Sequence, residues 1–248
     1  MVLVYINFIL IFETKNMNFT FGIITGGGQE ANINLCIDSI EKLNISNYEV
    51  IIIGACGINR KNTTQVAFNE NIKSMWITKK KNIITELAKY ENVVYLHDYI
   101  VFHDNWYDGF LNFGNDFKIC MTQMLNPDNT RFRDWSLWED YFMGYKLPNN
   151  EKLLPYSENR LSKFMYISGS YWVAKKDIMA EFPLDERLTW NQSEDVVWSM
   201  QVREKYHFSM NANSVVNLLK HKDKIFNYMS DTSYLNLKNI LDHKEKKQ

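Results

Sequence analysis

Between residues 19 and 54 the chain reads strand, glycine turn, helix, strand, an order that few folds accommodate. The run FTFGIIT (19–25) is apolar without alternation, which predicts a strand buried on both faces. Gly26-Gly27-Gly28 breaks it, and Ile33, Ile37, Ile40 and Leu43 then recur at helical spacing. EVIIIG (49–54) is a second β-branched run of the kind found in parallel sheets covered on both sides. A βαβ unit is the economical reading. The segment Gly26 to Ala31 also fits the loose G-x-G-x-x-A pattern of a phosphate cradle. The glycines permit either the close approach of a nucleotide to the backbone or simply a sharp turn at positive φ. A dinucleotide site would further want an acidic side chain after the second strand. Gly54-Ala55-Cys56-Gly57 offers none, which weighs against an NAD-dependent enzyme.

Further along, residues 81–90 have helical periodicity and NVVYL (92–96) predicts a third buried strand, ending at His97-Asp98. Ligands of open α/β sheets collect at the carboxyl ends of such strands. A helix over 106–113, a strand over 117–123, a strand pair or turn over 164–174, and helices over 175–181 and 194–206 complete the pattern. In the last helix, Val197, Met200 and Val202 or their neighbours would form the apolar face. Residues 125–163 carry three prolines and little periodicity, which suggests a lid or insert. The fold class is therefore α/β, a single domain with a mixed, mainly parallel sheet flanked by helices. Its bounds are expected at 17–220, with 1–16 an apolar extension or edge strand and 221–248 a C-terminal segment and tail. The opening MVLVYINFILIF holds Asn7 and is shorter than the ~20 apolar residues of a bilayer span, so no stable membrane span is expected.

Charge and cysteine usage narrow the function classes. With 28 basic against 29 acidic side chains, no global field exists to gather a polyanion, which argues against nucleic acid as partner. Cys36, Cys56 and Cys120 lie far apart and form no C-x-x-C pair, consistent with a reducing, cytoplasmic compartment.

Four local groups carry possible chemistry. Lys79-Lys80-Lys81-Asn82 falls just before the helix expected from 81, where free amides and positive charge could receive a diphosphate; the alternative is a solvated charge run. His97-Asp98-Tyr99 follows a buried strand, where a carboxylate is costly unless it meets a ligand, a metal or donors. Glu194-Asp195 stands where a loop turns into a helix, either as a cap or as a base aimed into a cleft. His221, in LLKHKDK, follows the last apolar run.

Taken in order, FGIITGGGQEANINLCIDSI with EVIIIG, then KKNIITELAKYENVVYLHDYIVFHDNWYDGF, then YISGSYWVAKKDIMAEFPLDERLTWNQSEDVVWSMQVREKY resemble the GT-A glycosyltransferases, in particular the inverting, family-two-like branch. The resemblance covers most of residues 19–206. It implies a nucleotide-sugar donor, a UDP-sugar first, and a carbohydrate or protein acceptor. Thr25, Gly26, Gly27, Glu30, Gly54, Ala55 and Cys56 would surround the nucleotide, with Lys81 and Asn82 reaching its base or ribose. His97, Asp98 and Tyr99 would fall at the acidic motif that holds Mn²⁺ or Mg²⁺ across the diphosphate, Asp98 and His221 being the metal ligands. Tyr99 stands where the family places its strongest acidic ligand, and Gly54-Ala55-Cys56 where many members carry an aspartate. In the catalytic triplet Ser193-Glu194-Asp195, Asp195 would be the general base. Gly169 would let sugar and acceptor approach the backbone, and Trp190 would stack on a sugar face. Tyr99 also admits a second reading, a binding module that kept the fold without turnover.

Overall fold

A computed structural model describes residues 16–54, 57–137, 141–142, 145–146, 151–222, 227–228, 235–236 and 238–239. The expected extension over 1–16 and the tail beyond 222 therefore fall almost wholly outside the described residues. The elements in chain order are β1 (Phe19–Ile24), α1 (Glu30–Lys42), β2 (Tyr48–Ile53), β3 (Thr63–Val66), α2 (Ile77–Leu87), β4 (Asn92–His97), β5 (Ile100–Phe102), α3 (Trp106–Phe113) and β6 (Ile119–Leu125). After them come the short strands β7 (Ser136–Leu137), β8 (Tyr141–Phe142), β9 (Tyr145–Lys146), β10 (Glu151–Leu153) and β11 (Met165–Tyr166). The chain returns through β12 (Tyr171–Lys175), α4 (Lys176–Glu181), α5 (Glu194–Val202), β13 (Phe208–Leu218) and β14 (Asn227–Tyr228).

One eight-stranded sheet in the order β3-β2-β1-β4-β12-β6-β13-β5 organises the molecule. β3, β2, β1 and β4 are mutually parallel, β12 runs antiparallel between β4 and β6, and β13 lies parallel to β6. The unbroken apolar runs of β1, β2 and β4 exist because both faces are covered. Phe19, Phe21, Ile23, Val50, Ile52, Val94 and Leu96 point to one layer with Ile33, Ile37 and Ile40 of α1 and Trp106 and Phe110 of α3. The alternate residues Ile24, Ile51, Ile53, Val93 and Tyr95 point to the other, with Ile84 of α2, Met179 of α4 and Trp198 of α5. Burial of such side chains contributes on the order of 1.5–3 kcal/mol each.

Several expectations are corrected. Helix α2 begins at Ile77, so the lysine run lies inside it rather than ahead of it. The core face of α5 is Val196, Trp198 and Val202, while Met200 is exposed. Within the stretch over 125–163, Trp135, Leu137, Leu154 and Leu161 are buried in the same layer as Trp172. Among the described residues no helix is long and apolar enough to cross a membrane.

Candidate active site

The parallel strands β1 and β4 end side by side, and the residues just past them begin the site. The Thr25 amide donates to the Ile53 carbonyl at 3.1 Å, extending the sheet by one residue. Its hydroxyl accepts from the Gly27 amide at 3.1 Å and favours the charge of the Asp98 carboxylate. Gly27 and Gly28 hold φ angles of 98° and 68°, a left-handed turn that glycine enters without steric cost. The turn delivers the chain to Glu30, exposed in the first turn of α1. Gly54, at the end of β2, lies so close to β1 that a β-carbon there would stand 2.2 Å from the Thr25 carbonyl oxygen. A side chain at this position is excluded. Ala55 and Cys56 lie outside the described residues. Lys80 donates to the Thr25 carbonyl at 2.7 Å and pairs with Glu70.

The second half of the site is built around the loop between β11 and β12. Lys81, whose side chain is 1% exposed, donates to the Gly169 carbonyl at 2.8 Å, lies 3.9 Å from Glu194 and stands 4.6 Å over the Trp172 ring. The Gly169 amide in turn donates to Asp195 Oδ2 at 2.8 Å, and the Val196 amide donates to Oδ1 at 2.9 Å. Gly169 has to be glycine: a β-carbon would meet Glu194 Oε1 at 2.8 Å and Asp195 Oδ2 at 3.0 Å. Ser193, with φ 57°, turns the chain into α5, and the two carboxylates occupy its first turn, where the helix dipole favours negative charge. Burial pushes the Glu194 carboxyl up, while Lys81 and Arg133 pull it back. Burial likewise lowers the Lys81 ammonium, which Glu194 and Asp195 support. A cation, two carboxylates and a backbone amide are thus locked together in a space that excludes water, where their fields are strongest.

The two halves meet at Tyr99 and Ser170. The Tyr99 hydroxyl and Ser170 Oγ are 3.1 Å apart, and the His97 amide donates to the Ser170 carbonyl at 3.1 Å. Lys220 and Lys222 place their ammonium groups 4.3 and 4.7 Å from the centre of the Tyr99 ring. Burial raises the Asp98 carboxyl, against the Thr25 hydroxyl, Lys220 and Lys80. His97 is held well below its ordinary range by burial and by Lys81, Lys222 and Lys220, so its imidazole is neutral at neutral pH. His221 faces elsewhere: its Nδ1 lies 3.8 Å from Asp128 Oδ2 at the exposed edge.

Among the described residues, Asp98, Tyr99 and His221 do not converge into a divalent-cation site. Hard cations take several oxygen ligands, most of them carboxylate or carbonyl. Here one carboxylate, Asp98, faces two lysines, Tyr99 supplies a phenol whose pKa is pushed up to about 12, and His221 belongs to Asp128. No three His, Cys, Asp or Glu side chains converge on one point among the described residues.

Of the remaining expected site residues, Asn82 is turned away into the fold. Its side chain donates to the Leu184 carbonyl at 2.9 Å and accepts from the Leu184 amide at 3.0 Å, clamping the loop that follows α4. Trp190 is 53% exposed, tied by its amide to the Met75 carbonyl at 3.1 Å, and presents a free ring. Sequence reasoning missed Ser170, Arg133, Lys220 and Lys222. The lysines flank the histidine that the sequence reading singled out, and LLKHKDK carried them in plain view.

No protein-family model matches the chain, and no curated protein matches it by sequence. Solved structures do. The crystal structure of S. aureus TarS 1–349 superposes with a TM-score of 0.55 at 12% identity, over 89% of this chain and 63% of that one. TarS 1–349 in complex with UDP-GlcNAc gives 0.55 at 13% identity over 90% and 65%. GalNAc-T7 with UDP, GalNAc and Mn²⁺ gives 0.60 at 13% identity over 91% and 48%. The chain spans less than two thirds of the length of each. At these identities the likeness is one of fold: the chain has the GT-A architecture that its sequence resembles.

Proposed function

We propose that the protein transfers a sugar from a UDP-sugar to an acceptor hydroxyl with inversion at the anomeric carbon. The observation that carries this reading is the placement of Asp195, which accepts from the Gly169 amide across the same loop that joins Tyr99 and Asp98 to the sheet ends. Structures sharing the fold contain UDP and UDP-GlcNAc, which supports a uridine nucleotide as the donor class. In the proposed step the acceptor oxygen attacks the anomeric carbon as its proton passes to Asp195. The bond from that carbon to the diphosphate oxygen breaks from the opposite face, and UDP leaves with the electron pair. Glu194 and Lys81 fix the position of Asp195 rather than react. The glycine turn and Thr25 receive the nucleotide, and the exposed Trp190 offers a platform for a sugar face.

The test is Asp195→Asn. Asparagine keeps one oxygen for the Gly169 amide, gives up the acceptor of the Val196 amide and cannot take the proton, so UDP affinity should hold while UDP release from UDP-sugars falls by about 10²–10⁴. Turnover equal to wild type removes Asp195 as the base. Wild-type UDP binding with no turnover on any acceptor favours the binding-module reading that Tyr99 suggests.

A further inference from the structure

Lys220 and Lys222 follow β13 and come to rest on the Tyr99 ring, at 4.3 and 4.7 Å. An ammonium group over an aromatic face is attracted to the ring. Burial first, then Lys220 and Arg133, disfavour the charge on Lys222, and Asp98 opposes them. Like charges gathered in one place raise the free energy of the unliganded protein, and an anion entering among them relieves it. The place adjoins the glycine turn, since the Thr25 hydroxyl that accepts from Gly27 also favours the charge of Asp98. It is also where a nucleotide's phosphates arrive if its base lies at the ends of β1 and β2.

We propose that Lys220 and Lys222 hold the diphosphate of the donor, two ammonium groups doing there what a divalent cation bound by carboxylates would otherwise do. This rests on the nucleotide-sugar reading above. Tyr99 then has a positive reason to replace a carboxylate: its ring seats the lysines, and its hydroxyl ties them through Ser170 to the loop that holds Asp195. As the bond between the anomeric carbon and the diphosphate oxygen breaks, the electron pair moves onto that oxygen and the lysines neutralise it. The acceptor's proton goes to Asp195, and the leaving oxygen takes only the electron pair.

The experiment is calorimetric titration of the full chain with uridine, UDP and inorganic pyrophosphate, in EDTA and again with Mn²⁺. Wild type, Lys220→Ala, Lys222→Ala, the double variant and the double arginine variant are compared. Wild type should bind UDP in EDTA with an affinity that Mn²⁺ changes by no more than about twofold, there being too few oxygen ligands to hold the cation. Each alanine should weaken UDP by roughly tenfold, equivalent to ~1.4 kcal/mol, and leave uridine binding as it was. Pyrophosphate affinity should fall in parallel, and the arginine pair should restore most of the UDP binding in EDTA, which separates lost charge from lost fold. UDP binding that rises tenfold or more with Mn²⁺, or a folded double variant that binds UDP like wild type, overturns the lysine proposal while uridine binding keeps the nucleotide reading intact. Wild type that binds neither uridine nor UDP overturns the nucleotide reading and this proposal with it.

Discussion

Gly169→Ala tests the site's geometry at its narrowest point. The added methyl carbon would lie 2.8 Å from Glu194 Oε1, 3.0 Å from Asp195 Oδ2 and 3.3 Å from Asp195 Cβ. An ordinary contact begins at 3.4 Å, so the two oxygens must retreat by about 0.6 and 0.4 Å. Neither has an easy path. Glu194 is packed against Lys81, and Asp195 is fixed by the Gly169 and Val196 amides on either oxygen. Overpacking of this kind costs roughly 1–3 kcal/mol of stability. The larger consequence falls on rate. A misplacement of ~1 Å in a reacting group costs ~10²-fold, so half that displacement should lower kcat by about tenfold. In the proposed reading UDP sits at the sheet ends, away from this contact, and should keep its affinity. The assays are guanidinium unfolding for stability, UDP release from a UDP-sugar for kcat, and calorimetry for UDP. A variant that is destabilised yet turns over like wild type would refute the assignment of Asp195. Unchanged stability and turnover would refute the close packing of this loop on α5.

Three other perturbations probe separate parts of the argument. Lys81→Met removes the donor to the Gly169 carbonyl and the counter-ion of a buried carboxylate, and denaturant unfolding should show a loss of about 3–5 kcal/mol; Glu194→Gln in that background should recover part of it. Asp98 has a raised carboxyl pKa, so the folded state binds its proton more tightly than the unfolded chain. Its contribution to stability therefore falls as pH climbs from the ordinary 3.8 through the raised value, and Asp98→Asn should flatten the thermal midpoint over that window. Trp190→Ala removes an exposed ring and should leave stability within ~0.5 kcal/mol, while the acceptor's KM rises several-fold and the donor's does not.

What could be read from the sequence follows from which physical signals are local. β1, β2 and β4 declare themselves because a strand buried on both faces is a continuous apolar run, and the Gly26-Gly27-Gly28 turn because positive φ calls for glycine. The start of α2 was misplaced by four residues for an equally local reason. A lysine run reads as solvated, yet Lys80 and Lys81 thread their stems through the fold and end on the carbonyls of Thr25 and Gly169. Those acceptors are 55 and 88 residues distant, and nothing near the lysines announces them. The edge strand β3 is TTQV, with no buried face to betray it, and β13 carries Asn211, Asn213 and Asn217 through a register shift that breaks its alternation.

The same distinction separates the two assignments at LLKHKDK. A histidine suggests a metal ligand by residue type alone, whereas a lysine becomes informative only once its neighbours are known. The fold sends His221 to Asp128 and sets Lys220 and Lys222 on Tyr99. The tyrosine that breaks the acidic motif and the two lysines that cover it lie more than a hundred residues apart in the chain, and each is unremarkable alone. If the lysines hold the diphosphate as proposed, the ring that seats them and the lysines themselves act as one unit. Restoring the acidic motif by Tyr99→Asp in the lysine double-alanine variant should therefore make UDP affinity depend on Mn²⁺, while Tyr99→Asp with the lysines in place should not. Equal Mn²⁺ response in both variants would show that the ring and the lysines act independently.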